Sequence, residues 1–191
     1  MAKIKAVTVH GGHNPARKIA SGASDYIDES RENRIVTKKV VHLLKKNGIK
    51  AYDCTVNNGT SQLDVLRKIC AKCNSKVRDI DISIHFNSAD HQKVQDGKTM
   101  GTEVWVRDTT GIKGDLSRRI CNQLSKIGFR NRGVKTTSGL WILNKTSTPS
   151  VMPHSSSRHF LLRYVLYLIL TMQSFIKLTG IMLRKLSYRQ Y

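Results

Sequence analysis

The residues of this chain that could perform chemistry are histidines and a glutamate at three separate places. His10 and His13 lie in a glycine-rich turn that follows a run of β-branched residues. Glu29 lies at the start of an amphipathic stretch, and His85 ends a run of alternating apolar residues. Two imidazoles and one carboxylate with an open fourth position are the ligands of a catalytic zinc ion, which lowers the pKa of its bound water and polarises a carbonyl group.

Each of these residues taken alone also has an ordinary structural explanation. An acid such as Glu29 is common in the first turn of a helix, where it interacts favourably with the helix dipole. A histidine in a glycine-rich turn is usually a surface residue, and His85 could be a hydrogen-bonded histidine of the core. Spacing alone therefore does not establish a metal site, and the elements that carry these residues must bring them together.

The first 150 residues show strand patterns that alternate with helix patterns. The predicted strands are Ile4–Val9, Ile49–Cys54, Asp79–His85, Thr102–Val106 and Gly139–Leu143. The predicted helices run from the acids at 28–32 to Gly48, over 60–74 with Thr60 or Ser61 as the cap, and over 116–127. This alternation predicts a single α/β domain with a mixed, mostly parallel sheet flanked by helices. Ligands bind beyond the carboxyl ends of the strands of such a sheet, so the two histidine sites could converge there.

The four cysteines give little sign of a second metal site. Cys70 and Cys73 are the only close pair, and a lone CxxC is a weak zinc signal. The apolar residues around them follow helical spacing, which predicts that both thiols are reduced and buried in a core.

Several motifs resemble the zinc-dependent N-acetylmuramoyl-L-alanine amidases, and more narrowly the catalytic domains of clostridial phage endolysins. The motifs are Gly12-His13-Asn14-Pro15, Glu29 to Asn33, Ile82 to Asn87, Gly101 to Val106, Arg132 to Lys135, Leu140 to Leu143 and Thr148 to Val151. They occur in the family's order over about residues 1–152. The resemblance implies that His13, Glu29 and His85 are the ligands of a zinc ion. His10 lies where many relatives carry an acid, and we do not count it as a ligand.

The same resemblance implies a function, a partner and a place of action. The expected reaction is hydrolysis of the amide between N-acetylmuramic acid and L-alanine in peptidoglycan. We expect a monomer without a specific nucleic-acid partner. The first ten residues contain no signal peptide, so we expect synthesis in the cytoplasm and action at the cell wall after release.

One residue of the family pattern is missing. The family carries a second glutamate, which acts as general base or acid beside the metal, soon after a strand of the form Thr-Pro-x-Val. His154 stands at that position here, behind Pro153, and no acidic residue follows. The catalytic residue is therefore left unassigned, and we expect impaired activity.

Residues 153–191 differ in character from the preceding domain. The chain has a net charge of +20, yet its last acidic residue is Asp115 and residues 116–191 carry 13 lysines and arginines. A frameshift near codon 152, replacement of the glutamate by His154, and a genuine membrane or wall anchor could each explain the tail. We favour the frameshift because the loss of acids, the misplaced Pro153 and the lost closing motif begin together. The apolar run is interrupted by Arg163, Gln173 and Lys177, which leaves the stretch 164–183 marginal, so we predict no membrane span.

The charge also suggests a different class of function. A non-catalytic basic protein could bind an anionic wall polymer or nucleic acid. The lysines and arginines are not interleaved with an aromatic platform, and no known nucleic-acid motif is present. Salt-sensitive binding of DNA together with zinc-independent folding would favour this alternative.

Overall fold

The computed structural model describes residues 4–24, 28–87 and 101–156, and within these ranges six strands form one sheet. In chain order they are β1 (Ala6–Gly11), β2 (Lys50–Asp53), β3 (Ile80–Phe86), β4 (Gly101–Val106), β5 (Asn131–Thr136) and β6 (Ser150–Ser156). Their order across the sheet is β2-β1-β3-β6-β4-β5. Neighbouring strands are parallel except β4 and β6. The predicted α/β domain with a mixed, mostly parallel sheet is confirmed.

The described ranges contain four helices, of which the first two begin at a side-chain cap. They are α1 (Glu29–Lys46), α2 (Gln62–Asn74), α3 (Gly111–Ser125) and α4 (Trp141–Lys145). Asp28 is the N-cap of α1, because its side chain accepts a hydrogen bond from the N–H of Arg31. Glu29 is therefore the first residue of the helix. Ser61 caps α2 by accepting from the N–H of Asp64, so one of the two predicted caps is correct.

The sheet separates two apolar cores. On one side, buried residues of α1 and α3 such as Val40 and Ile120 pack against Ile82 and its neighbours on the strands. On the other side, α2 and α4 pack against Met152 of β6. Because side chains alternate between the two faces of a strand, His154 and His85 lie on the α2–α4 side. The four cysteines are free and buried, and for Cys70 and Cys73 this confirms the prediction that both thiols face a core.

Two elements differ from the prediction. The predicted strand over residues 139–143 is wrong, because this segment contributes to the short helix α4. A short apolar run does not distinguish a strand from a buried helix, and here Ile142 and Leu143 are buried in the core between α4 and α2. The strand β5 was not predicted, because it lies at the sheet edge, has no alternating apolar pattern and contains Gly133 at φ 82°.

The strand β6 continues through Pro153, although proline is disfavoured in the interior of a sheet. On one side β6 pairs with β4 from Met152 to Ser156. On the other side its pairing with β3 is interrupted between the pairs Ile82–Val151 and His85–His154. This gap is expected because proline has no N–H to donate. The strand therefore tolerates Pro153 by losing part of one ladder while keeping the other.

Residues 88–100, which belong to the loop predicted from its polar composition between β3 and β4 in sequence, and the apolar stretch predicted over 164–183 both lie outside the described residues. Within residues 4–24, 28–87 and 101–156, no helix is both long and apolar enough to cross a membrane.

Candidate metal centre

The structure brings together His13, Glu29 and His85 at the carboxyl edge of the sheet. His13 lies in the turn after β1, Glu29 is the first residue of α1, and His85 is the penultimate residue of β3. One nitrogen of each imidazole and one carboxylate oxygen all lie within 4.8 Å of one another. The three residues are remote in sequence, and they meet because β1 and β3 are neighbouring parallel strands.

Glu29 lies at the middle of this group and touches both imidazoles. Its Oε1 lies 2.9 Å from Nδ1 of His85, and its Oε2 lies 3.3 Å from Nε2 of His13. Two backbone groups orient the carboxylate further, since the N–H of Phe86 donates to Oε1 and the N–H of Ala23 donates to Oε2. Nδ1 of His13 is buried and has no hydrogen-bond partner among the described residues.

The charge state of Glu29 suits a ligand. Burial alone would raise the pKa of this carboxyl group, but hydrogen bonds from His13 and His85 outweigh burial and hold its pKa well below the usual range. Glu29 is therefore ionised at neutral pH. Two imidazole nitrogens and an ionised carboxylate match the donor set of a metal centre.

The spacing of the donor atoms suits a small ion, and the nearby glycines leave no space for side chains of their own. Tetrahedral zinc with ligand bonds near 2.1 Å spaces its ligand atoms about 3.4 Å apart, close to the two measured distances. A Cβ atom on Gly12 would lie 2.1 Å from Cε1 of His85. A Cβ atom on Gly22, which has φ 80°, would lie 2.6 Å from Oε2 of Glu29. Side chains at either glycine would displace a ligand.

His10 is close to this group in the chain but does not belong to it. It is fully buried on β1, and neither ring nitrogen has a hydrogen-bond partner among the described residues. Burial and the nearby His85 lower the pKa of His10 to about 4, so its ring is neutral at pH 7. His10 is not part of the group that could hold a metal ion, in agreement with its exclusion from the predicted ligands.

His154 lies beside the group on β6. Its ring stacks on that of His85, with centroids 4.8 Å apart, and it lies opposite His85 in the strand register. Its Nδ1 lies 3.2 Å from the carbonyl oxygen of Met152. A carbonyl only accepts, so Nδ1 carries the hydrogen and Nε2 keeps a lone pair. Burial, followed by the charge of His85, lowers the pKa of His154 to about 3.

Two groups of the site region were missed by sequence reasoning. Glu103 of β4 lies opposite His154 in the register. Its carboxylate accepts hydrogen bonds from Asn87 and Trp105 and pairs with Arg132 at 3.1 Å, so it is fully engaged. Ser83 lies 3.0 Å from Nε2 of His85 through its hydroxyl. Glu103 and Arg132 occur in the quoted motifs, yet only the strand pairing reveals what they contact.

Comparison with known proteins places the chain in a family and agrees with the fold. Residues 7–154 match the family described as N-acetylmuramoyl-L-alanine amidase. Over 147 residues the chain is 35% identical to an uncharacterised 38.4 kDa protein of Clostridium perfringens. That match covers 76% of this chain and 41% of the relative, so the chain spans about two fifths of the relative's length.

Solved structures with the same fold include amidase domains. The catalytic domain of the CD27L endolysin, which targets Clostridia Difficile, is 18% identical and superposes with a TM-score of 0.72 over 87% of this chain and 97% of that domain. The CwlD amidase of Clostridioides difficile, solved in complex with the GerS lipoprotein, is 15% identical with a TM-score of 0.75 over 91% of this chain and 99% of that protein. At these identities the likeness shows a shared fold.

Proposed function

Because this chain belongs to the N-acetylmuramoyl-L-alanine amidase family, we propose that it hydrolyses the amide bond between N-acetylmuramic acid and L-alanine in peptidoglycan. Water adds across the carbon–nitrogen bond, which leaves a carboxylate on the lactyl group of the muramic acid and a free α-amino group on L-alanine. The observation that carries the proposal is the meeting of His13, Glu29 and His85 at the carboxyl edge of the sheet.

We propose zinc as the metal and these three residues as its ligands. The donor types and spacing support this assignment. When bound, zinc would supply Lewis acidity, which lowers the pKa of water and polarises the amide carbonyl. Glu29 contributes the negative charge of the ligand set, and the N–H groups of Ala23 and Phe86 orient the carboxylate so that its two oxygens face different imidazoles.

Proton transfer is the weak part of this site. The family's second glutamate is replaced by His154, whose Nε2 is the one ring nitrogen with a free lone pair. Since the pKa of His154 is lowered to about 3, this imidazole holds a proton poorly at neutral pH. General acid–base catalysis is typically worth about 10²–10⁴-fold in rate, and we expect the chain to be slower than a glutamate-bearing relative by an amount of this order.

The test is to identify the bond that is cleaved. We expect the purified, zinc-loaded chain to release α-amino groups of L-alanine from peptidoglycan without creating new reducing sugar ends. Mass spectrometry of the fragments should show intact glycan strands separated from stem peptides. Release of reducing ends in place of amino groups would assign the chain to another reaction.

A matched pair of variants links the activity to the site. Glu29→Gln keeps the size of the side chain but removes the charge between the imidazoles, and it should abolish release of L-alanine amino groups. His42→Ala alters a histidine on the exposed side of α1, away from the site, and should leave the rate unchanged. Equal activity of the Glu29→Gln variant and the unaltered chain would refute the proposed site.

A further inference from the structure

We propose that Arg34 is a positioning residue that holds the backbone of His13 in the conformation needed for metal binding. The inference rests on the proposed metal centre. Arg34 lies on α1, five residues after Glu29, so one helix carries both a ligand and the group that fastens another ligand. Nothing in the family pattern quoted for this chain includes Arg34.

The segment that carries His13 has little structure of its own. Between β1 and α1 the described residues contain no helix and no strand longer than a single bridge. His13 itself has φ 65°, a left-handed backbone conformation that residues with a side chain adopt uncommonly. Such a conformation persists only when surrounding contacts impose it. The contacts on the His13 carbonyl therefore decide where its imidazole lies.

The guanidinium of Arg34 supplies such a contact and ties three segments together. Its Nη2 donates to the carbonyl oxygens of His13 and Val56, each at 2.8 Å. Its Nη1 donates to the carbonyl of Ser30 at 2.8 Å, and its Nε donates to the side-chain oxygen of Asn57 at 2.9 Å. The turn after β1, the first turn of α1 and the loop after β2 are thus joined through one side chain.

Asn33, the residue before Arg34 on α1, also holds the backbone next to His13. Asn33 donates from Nδ2 to the carbonyl of Gly12 at 2.9 Å, so the carbonyls of the two peptide groups that flank His13 are held by consecutive residues of the helix. Asn33 is fully buried, and a Cβ atom on Gly11 would lie 2.4 Å from its Oδ1. Asn33 therefore packs against the backbone of Gly11, and Arg34 supplies the charged guanidinium that donates to the carbonyls.

Lysine could replace the charge of Arg34 but not its geometry. The planar guanidinium offers donors in fixed directions, whereas a lysine ammonium is a single point on a flexible stem. If Arg34 acts only through charge or general stability, Arg34→Lys should behave as the unaltered chain. If Arg34 positions His13, Arg34→Lys should resemble Arg34→Ala in its effect on metal binding.

The test measures zinc affinity by competition with a chromogenic chelator, independently of any catalytic rate. We expect Arg34→Lys and Arg34→Ala to weaken zinc binding about 10- to 100-fold, the range found when groups that orient metal ligands are lost. Arg78→Lys is the matched control, because Arg78 is a buried arginine that pairs with Asp81 at the far end of β3. It should lower the melting temperature while leaving zinc affinity unchanged.

A second readout needs no metal. The amide of Asn14 donates to the carbonyl of Ala20 at 2.9 Å, and its hydrogen exchange should be faster in metal-free Arg34→Lys than in Arg78→Lys. Zinc affinity within twofold of the unaltered chain in both Arg34 variants would overturn the inference. If the unaltered chain binds zinc but cleaves no peptidoglycan, the proposed function fails and the role of Arg34 still stands. If the unaltered chain binds no zinc, both fail.

Discussion

The imidazole rings of His85 and His154 are stacked, with their centroids 4.8 Å apart and their planes inclined by 20°. The pair joins a proposed metal ligand on β3 to the residue on β6 that replaces the glutamate expected from the family. Because the two residues are opposite each other in the strand register, His154 is held beside the metal centre by the sheet itself. A side chain at position 154 therefore lies next to His85, whichever residue occupies that position.

Restoring the carboxylate should raise the activity. We predict that His154→Glu increases the rate of L-alanine amide hydrolysis at pH 7 by about 10²–10⁴-fold, the usual contribution of a general acid–base group. His154→Gln is the control of similar size without a basic group, and it should be no faster than the unaltered chain. Rates are measured by release of α-amino groups under saturating zinc. Equal rates for the Glu and Gln variants would show that position 154 does not transfer protons.

The glycine beneath His85 should be essential for metal binding. We predict that Gly12→Ala weakens zinc binding by at least about tenfold, because its Cβ would overlap the His85 ring at 2.1 Å and displace a ligand. Gly139→Ala is the matched control, since its Cβ would make only an ordinary contact at 3.5 Å from the Thr137 hydroxyl. Chelator competition measures both variants. Normal zinc affinity in Gly12→Ala would contradict the geometry of the site.

The buried histidine on β1 should make stability depend on pH. The pKa of His10 is lowered from 6.5 to about 4, so between these pH values the unfolded chain binds more protons than the folded chain. Stability is therefore predicted to fall as the pH drops from about 6.5 to about 4, by up to about 3 kcal/mol from this residue.

Replacement of His10 isolates that contribution. His10→Leu removes a neutral ring with two unpartnered nitrogens and should flatten this part of the pH profile in urea unfolding. His42→Ala, which alters an exposed histidine, should keep the profile of the unaltered chain. A His10→Leu profile as steep as that of the unaltered chain would assign the acid sensitivity to other groups.

Breaking the buried ion pair at the far end of β3 should strongly destabilise the fold. Asp81 has no exposed surface and accepts hydrogen bonds from Arg78, Thr8 and Thr148. We predict that Asp81→Ala costs about 3–5 kcal/mol in the free energy of unfolding, because it leaves the guanidinium of Arg78 buried and unpaired.

An exposed pair of the same spacing provides the control for Asp81. Asp115→Ala breaks the pair with Arg118 on the surface of α3 and should cost less than about 1 kcal/mol. Denaturant unfolding measures both variants. Similar losses in the two would mean that burial adds nothing to the Asp81 pair.

The hypothesis of a frameshift near codon 152 stays a prediction. Residues 150–156 form an inner strand despite Pro153, and the family match ends at residue 154. We expect the nucleotide sequence downstream of codon 152, translated in another frame, to encode a glutamate and a closing helix. An uninterrupted frame with neither feature would leave the tail as a genuine part of the protein.

Local patterns predicted most of the elements but failed where the signal was not local. The periods of α1, α2, β1 and β3 are clear because each buries one regular face of apolar residues. The edge strand β5 buries almost nothing, and α4 is too short for a helical period. For these reasons β5 was not predicted, and the segment that forms part of α4 was wrongly predicted as a strand.

By itself, the sequence predicted the types of the proposed ligands, their order and the elements that carry them. His13, Glu29 and His85 were proposed from motifs and from their places at the ends of predicted elements. Tertiary structure alone decided that β1 and β3 are neighbours, that His154 stacks on His85, and that Arg34 fastens the backbone of His13. Element preferences depend on residues a few positions apart, whereas strand order and side-chain contacts depend on the packing of segments tens of residues apart.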